Sequence, residues 1–214
     1  MAETVLLDIA LLSLLVSGSA TALSTAVGVP LGSWLGGREF RGRRVLRALL
    51  HALYGLPPVL LGLLLYLMLS RTGPLGALSW LYTPQGMVLA QFLLTLPFVV
   101  GLTWNAVGSV DRSVRDTART LGAEGRQHLW ALVREARLGI LGAVMVAFGR
   151  AISEVGAVIL VGGNIQGETE VLTTAIVKET GQGDFAVAVG LGLILLSLSM
   201  FVFAALTLVQ ERER

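Results

Sequence analysis

Two residues of opposite charge, Arg150 and Glu154, interrupt an otherwise apolar stretch of the chain. Inside a lipid bilayer, charged side chains are costly unless they pair or face water. Counted at about 1.5 Å per residue from Leu138, Arg150 lies roughly 18 Å into the stretch, near the middle of a membrane. The spacing of four residues places both side chains on one helix face, where they can form an ion pair. Two roles stay open: a self-neutralising pair in a helix bundle, or an arginine that helps an anion to cross.

The segment that follows is rich in glycine and in neutral hydrogen-bonding side chains. It reads GGNIQGETEVLTTAI from Gly162 onward. Glycines interrupt a helix, and the backbone amides that become free can bind an oxyanion without a formal cation. The residues that would take part are Gly163, Asn164, Gly167, Thr169, Thr173 and Thr174. An ordinary external loop would have the same composition, so both interpretations stand.

Other kinds of site find little support in the residues of this chain. There is no cysteine, which excludes disulfides, thiolate metal sites and cysteine nucleophiles. The two histidines, His51 and His128, are far apart in the sequence, and no Ser-His-Asp set is apparent. No GxxxxGK[ST] motif for nucleotide phosphates occurs. We therefore expect no catalytic residue, metal or cofactor in this chain.

A charged segment, residues 111–137, holds six arginines between two apolar stretches and reads DRSVRDTARTLGAEGRQHLWALVREAR. Small and apolar residues recur at helical spacing at Val114, Thr117, Ala118 and Leu121, and again at Leu129, Leu132, Val133 and Ala136. Gly122 between the two sets supplies a helix stop. The prediction is helix, glycine turn, helix. The segment is either an amphipathic hairpin on anionic lipid headgroups or a docking surface for a partner protein; its tethering to the membrane at both ends argues against DNA binding.

The elements that must position these residues are membrane-spanning helices. Hydrophobic residues make up 54% of the 214 residues and charged residues only 14%, far below the quarter or so of a soluble domain. Five apolar segments are long enough, at about 20 residues, to cross a bilayer. They run approximately over 9–35, 48–69, 87–109, 138–161 and 185–209. We expect one all-α polytopic membrane domain over 1–214, with helix kinks or breaks at Pro57-Pro58 and at Pro97.

The linkers between the spans alternate between arginine-rich and arginine-poor sequences. The first, GGREFRGRRVLR, and the third, residues 111–137, are strongly basic, whereas the second carries only Arg71. The fourth, from Gly162 to Asp184, has more acidic than basic residues, and the chain ends in QERER. Because basic loops stay in the cytoplasm, we expect a multi-pass protein of the cell inner or plasma membrane. Its N-terminus would lie outside, and its C-terminus and residues 111–137 would lie in the cytoplasm.

Two smaller patterns concern helix packing and the membrane surface. Gly28, Gly32 and Gly36 form overlapping GxxxG motifs, which allow close helix approach. We expect them to serve packing within one subunit rather than a dedicated dimer contact. Four aromatic residues near span ends are expected at the membrane interface: Trp34, Trp80, Tyr82 and Trp104.

The arginine-rich segment resembles the EAA loop of ABC importer permeases. Asp116 stands at the glutamate position of that motif, Thr117 and Ala118 at its two alanines, and Gly122 at its glycine. In the family this loop forms the coupling helix that fits a groove in the ATPase. The resemblance therefore implies an ATPase-coupling role for Asp116, Thr117, Ala118, Leu121, Gly122 and Ala123. The chain departs from the family's Ile-x-Leu-Pro ending, since REARLGI contains no proline.

The later segment is similar to permeases of the sulfate, molybdate and tungstate importers. The matching residues are Glu154, Val155, Gly156 and Ala157 in the span, then Gly163, Asn164, Gly167 and Thr169 after it. Ser153 stands where that family has a glycine before the glutamate. GRAISEVGAV together with VLTTAI is most similar to the tungstate type.

These resemblances imply the permease subunit of an ATP-driven oxyanion importer, with tungstate preferred over molybdate and sulfate last. They also imply two copies of this chain, two cytoplasmic ATPases that bind ATP and Mg, an external oxyanion-binding protein, and membrane lipid. Nucleic acid is not expected, and the chain itself would not be an enzyme. The alternative is a self-standing channel or secondary anion transporter, which usually shows inverted repeats or several intramembrane charges. A membrane enzyme has the least support.

Overall fold

The protein is built from helices joined by turns and by two longer connections, residues 70–83 and 163–171. The computed structural model describes the backbone of residues 2–212 and the side chains of residues 5–208, 210 and 211; Glu213 and Arg214 of the charged tail lie outside the described residues. The helices are α1 (Ala2–Gly37), α2 (Arg43–Tyr54), α3 (Pro58–Leu69), α4 (Pro84–Gly108), α5 (Arg112–Thr120), α6 (Gly125–Glu135), α7 (Arg137–Ile152), α8 (Gly156–Gly162), α9 (Leu172–Gln182) and α10 (Phe185–Arg212). The all-α prediction is confirmed, since no strand occurs within residues 2–212.

In the part of the chain that the structure describes, three helices are long and apolar enough to cross a membrane alone: α1, α4 and α10. Two further spans are bent helix pairs, with 90° between α2 and α3 and 57° between α7 and α8. The predicted count of five holds if each bent pair is one span. The break expected at Pro57-Pro58 within 48–69 is present, whereas the break within 138–161, between Ile152 and Gly156, was not predicted.

The break between α2 and α3 follows from its sequence, GLPP. Gly55 ends α2, and Pro58 takes the first position of α3, where the missing N–H of proline costs nothing. α2 carries several arginines in its first half and none of its residues is buried. By contrast, α4 continues unbroken through the buried Pro97, where a kink or a break was expected.

The core of the fold is the close packing of α1 against α4. A Cβ added at Gly28 would lie 2.8 Å from Val99 Cγ1, and one added at Gly36 would lie 2.8 Å from the carbonyl oxygen of Trp104. No side chain fits at such distances, so the glycines are what allow the two backbones to approach. The expectation that this motif packs within one subunit is therefore confirmed.

Trp104 lies inside the protein, contrary to its assignment to the membrane interface. Its side chain is only 1% exposed, near the ends of α1 and α4. The guanidinium carbons of Arg43 and Arg47 lie 5.8 and 5.0 Å from its ring centroid. These arginines of α2 thus cover the indole by cation–π contact.

Candidate functional site

The break between α7 and α8 holds the pair of charges found in the sequence. The Nη1 atom of Arg150 donates to Glu154 Oε2 at 2.8 Å, and the side chains are 30% and 3% exposed. The second carboxylate oxygen, Oε1, accepts the amide of Ala157 at 3.1 Å. Glu154 lies beyond the last residue of α7 and not within a continuous helix as predicted. Its carboxylate therefore neutralises Arg150 and also caps the first turn of α8.

Beyond α8 the chain turns back through a tight glycine-rich segment. Gly163, Asn164 and Gly167 have φ values of +75°, +52° and +81°, in the left-handed region. The Thr169 hydroxyl donates to the carbonyl of Gly162 at 2.6 Å and accepts the amide of Ile165 at 2.9 Å. This hydroxyl closes the turn, because it joins both sides of it.

The chain then re-enters the protein. The segment predicted as an external loop, Gly162 to Asp184, contains the helix α9, whose first residues are buried. The hydroxyl of Thr173 donates to the carbonyl of Glu154 at 2.9 Å, and that of Thr174 accepts the amide of Val171 at 3.1 Å. The start of α9 is thus attached directly to the break between α7 and α8.

The predicted pathway residues fall into two groups at the two ends of α8. Arg150, Glu154 and Thr173 meet at the break. Gly163, Asn164, Gly167 and Thr169 form the turn beyond α8. The hydroxyls of Thr169, Thr173 and Thr174 form hydrogen bonds inside the protein. Their first role is to hold the chain's return path in place.

Two residues that the sequence analysis did not single out support this site. Ser13 of α1 accepts the amide of Leu172 at 2.8 Å through its hydroxyl, which caps the buried start of α9. Gln91 of α4 is 3% exposed and donates through Nε2 to the carbonyl of Ala151 at 3.0 Å, one residue before the end of α7. The available signal was the same for both: a polar side chain within an apolar span.

The arginine-rich segment forms the predicted helix, turn and helix. Asp111 caps α5 by accepting the amide of Ser113 at 2.7 Å, and this hydrogen bond lowers the pKa of the Asp111 carboxyl. Gly122 has a φ of +80°, and the amide of Ala123 donates to the carbonyl of Ala118 at 2.9 Å. This is the Schellman pattern that ends a helix with a left-handed glycine.

One face of this hairpin is anchored and the other is free. Leu132 and Ala136 are buried against Val107 and Ile140. The guanidinium of Arg115 donates to the carbonyl of Val110 at 3.1 Å, which ties α5 to the end of the preceding segment. On the outer side, the side chain of Leu121 is 82% exposed and that of Trp130 is 69% exposed. Large exposed apolar side chains on a charged hairpin, at its turn and along α6, are suited to contact a partner protein.

Comparison with known proteins gives a consistent assignment. A family model described as "Binding-protein-dependent transport system inner membrane component" matches residues 28–214. The chain is 44% identical over 186 residues to a probable anion ABC transporter permease protein of Haloferax volcanii, which covers 85% of this chain and 80% of the relative. It is 42% identical over 177 residues to the tungstate uptake system permease protein TupB of Peptoclostridium acidaminophilum, with 83% and 78% covered. The molybdenum transport system permease protein ModB of Escherichia coli is 33% identical over 175 residues, with 78% and 76% covered.

These relatives confirm the resemblance to oxyanion permeases and the expectation of a transport subunit that is not itself an enzyme. The family and the apolar helices make this a multi-pass membrane protein. The family also implies an ATPase and a binding protein as partners in general. The chain belongs to the family of inner-membrane components of binding-protein-dependent transport systems, as an ABC transporter permease.

Proposed function

We propose that this permease carries tungstate, ahead of molybdate and with sulfate last. The observation that supports tungstate in first place is the 42% identity to a tungstate uptake permease over 83% of the chain, against 33–36% to molybdenum permeases and 35% to a sulfate permease. The external binding protein selects the anion, and the permease provides its path. The N-terminus of the chain lies outside and its C-terminus in the cytoplasm.

The hairpin α5–α6 couples the permease to its ATPase. Two ATPase copies, which hold ATP and Mg, engage two copies of this chain. The coupling residues are Asp116, Thr117, Ala118, Leu121, Gly122 and Ala123. The support is geometric, since the turn at Gly122 presents the exposed Leu121, while Leu132 and Ala136 anchor the hairpin to the membrane helices.

The anion passes beside the two ends of α8, along the contact between the two copies of this chain. The residues that line or gate the path are Arg150, Glu154, Gly163, Asn164, Gly167, Thr169, Thr173 and Thr174. Arg150 is 30% exposed while its partner Glu154 is buried, so the guanidinium is the group of the pair that can reach water. Opening of the break would move Glu154 away and free this cation for an anion.

The docking surface for the binding protein lies at the other end of the fold. A cavity of about 300 Å³ beside the start of α1 is lined by Asp8, Glu168 and Glu170. Glu170 is buried and pairs with Lys178 at 2.9 Å, so Asp8 and Glu168 are the carboxylates left for a basic patch on a protein partner. An acidic outer surface therefore agrees with capture of the cargo by a separate protein.

Uptake in a strain that depends on this permease tests the cargo. Cells with the chain, its ATPase and its binding protein receive tungstate, molybdate or sulfate at equal concentration, and the metal or sulfur content is measured. We expect uptake in the order tungstate, molybdate, sulfate. Uptake of sulfate alone would overturn the proposal. Uptake that persists without the ATPase would instead favour the self-standing transporter.

A further inference from the structure

A cavity of about 580 Å³ lies between the end of α1 and the hairpin α5–α6. Arg38 follows α1, Arg119 lies in the last turn of α5, and Arg126 lies in the first turn of α6. All three line the cavity, as do Trp34, His128 and the carboxylate-bearing Glu124. The cavity is therefore shared by two parts of the chain and lined by three positive charges against one negative charge.

The guanidiniums of this cavity have no neutralising carboxylate among the described side chains. Among the side chains that the structure describes, no carboxylate lies within ion-pair distance of Arg38, Arg119 or Arg126. Arg38 is held over the ring of Trp34, with its Cζ 5.1 Å from the ring centroid. Such a contact fixes the cation and leaves its N–H groups available to an acceptor.

The ring of His128 lines the same cavity. Both ring nitrogens are shielded from solvent, and neither has a hydrogen-bond partner among the described residues. Burial lowers the pKa of His128, and the charges of Arg119 and Arg115 lower it further. An acceptor placed in the cavity would satisfy the ring N–H and offset the charge that opposes protonation.

We propose that this cavity, the arginine pocket, binds a tetrahedral oxyanion at the junction of α1 with the hairpin. Guanidinium forks match the oxygens of phosphate-like groups, which accept two parallel hydrogen bonds. Two sources share this chemistry: a free oxyanion, and the headgroup phosphate of an anionic phospholipid, for which Trp34 and Leu129 supply apolar wall. The bound anion bridges Arg38 to Arg119 and Arg126 and so fixes the hairpin relative to α1. The site does not depend on which cargo the permease carries.

Titration of the purified full chain, in a detergent free of anionic lipid, tests the site. The probes are sodium tungstate, sodium phosphate and the short-chain lipid dioctanoyl-phosphatidylglycerol, with dioctanoyl-phosphatidylcholine as the uncharged-headgroup control. We expect saturable one-to-one binding of an anionic probe. The doubly substituted Arg119→Gln/Arg126→Gln chain should bind it about tenfold or more weakly. The matched control is Arg112→Gln. Arg112 is exposed and lies in α5, as Arg119 does, but it does not line the cavity.

The probes also separate the two sources. Binding of tungstate or phosphate identifies a free-oxyanion site, and binding of phosphatidylglycerol alone identifies a lipid site. The His128 pKa, followed by NMR in the unsubstituted chain, should rise on binding. This second readout holds even if the double variant folds poorly.

Three results would overturn the proposal. One is the absence of saturable binding by any anionic probe; if the double variant also loses ATPase capture, the pocket belongs to an acidic side chain of the ATPase. Another is binding that Arg112→Gln weakens as much as the double substitution does. The third is binding that leaves the His128 pKa unchanged.

Discussion

At the scale of single residues, the site depends on groups that each hold two parts of the chain together. Glu154 neutralises Arg150 and caps α8, and its backbone carbonyl accepts the hydroxyl of Thr173. Gly122 has no side chain, but its left-handed backbone ends α5. Substitutions at these positions should therefore disturb the contacts between helices more than the helices themselves.

Replacing Glu154 with alanine should destabilise the chain. The change leaves Arg150 without its partner and removes the acceptor for the Ala157 amide. We expect the free energy of unfolding to fall by about 3 kcal/mol, the low end of the range for a broken buried ion pair, because Arg150 is partly exposed. Glu154→Gln keeps an acceptor for that amide, so its loss of stability should lie between zero and that of Glu154→Ala. Thermal unfolding in detergent measures both, and Arg150→Met combined with Glu154→Gln should recover part of the loss. If the Glu154→Ala chain melts like the unsubstituted chain, the pair contributes nothing to stability.

Replacing Gly122 with valine should weaken ATPase binding without unfolding the membrane helices. The glycine has a φ of +80°, and nothing lies within 4 Å of an added Cβ, so the cost is backbone strain and not a clash. That strain, about 1–2 kcal/mol, corresponds to about a tenfold change in an equilibrium. Gly122→Asn is the control, because asparagine tolerates this conformation. The measurement is the amount of ATPase recovered with the tagged chain. Equal recovery with both variants would contradict a coupling role for this turn.

At the scale of elements, the pairing of α1 with α4 provides the rigid part of the fold. Gly28 and Gly36 bring the two helices together over several turns. The bent pairs α2–α3 and α7–α8 then pack around this seam. The closest packing is therefore between two continuous helices. The break between α7 and α8 lies next to the candidate path.

A methyl group at Gly28 should destabilise the fold, whereas one at Gly18 of the same helix should not. The Cβ at Gly28 would lie 2.8 Å from Val99, whereas nothing lies within 4 Å at Gly18. Overpacking of this kind costs about 1–3 kcal/mol, and an open Gly→Ala change in a helix gains about 0.5–1 kcal/mol. Thermal melting of Gly28→Ala and Gly18→Ala in the same detergent compares them. Equal melting temperatures would argue against the α1–α4 seam.

The sequence predicted this level of structure unevenly. The length of the apolar segments predicted the spans, and Gly122 predicted the turn of the hairpin. Both signals depend only on residues close together in the sequence. The 90° bend after Gly55 was only partly foreseeable, since prolines alone do not separate a kink from a change of direction: Pro97 lies in an unbroken helix. The return of the chain into the protein at the start of α9 could not be predicted from the sequence. Its buried start depends on Ser13 and Glu154, which are remote in sequence.

At the scale of the whole molecule, the charges divide between two ends. Arg38, Arg119 and Arg126 lie at the end where α1 meets the hairpin. Asp8, Glu168 and Glu170 lie at the opposite end, beside the start of α1. Such a separation agrees with the positive-inside rule and sets an orientation that can be measured directly.

Labelling of single cysteines should place the two ends on opposite sides of the membrane. The chain has no cysteine of its own, so Thr72→Cys, Gly181→Cys and Ser113→Cys each create one exposed thiol. An impermeant maleimide should label the first two in intact cells and the third only after the cells are opened. The reverse pattern would invert the proposed topology.

The way the hairpin is attached also bears on how such permeases diversify. Residues 111–136 carry their own helix cap and their own glycine stop, and they join the membrane helices through the small apolar cluster around Leu132. A segment with such self-contained ends can be exchanged between related chains as one piece. With the coupling role proposed for the hairpin, exchange of this segment alone would change which ATPase a permease engages while its membrane helices stay the same.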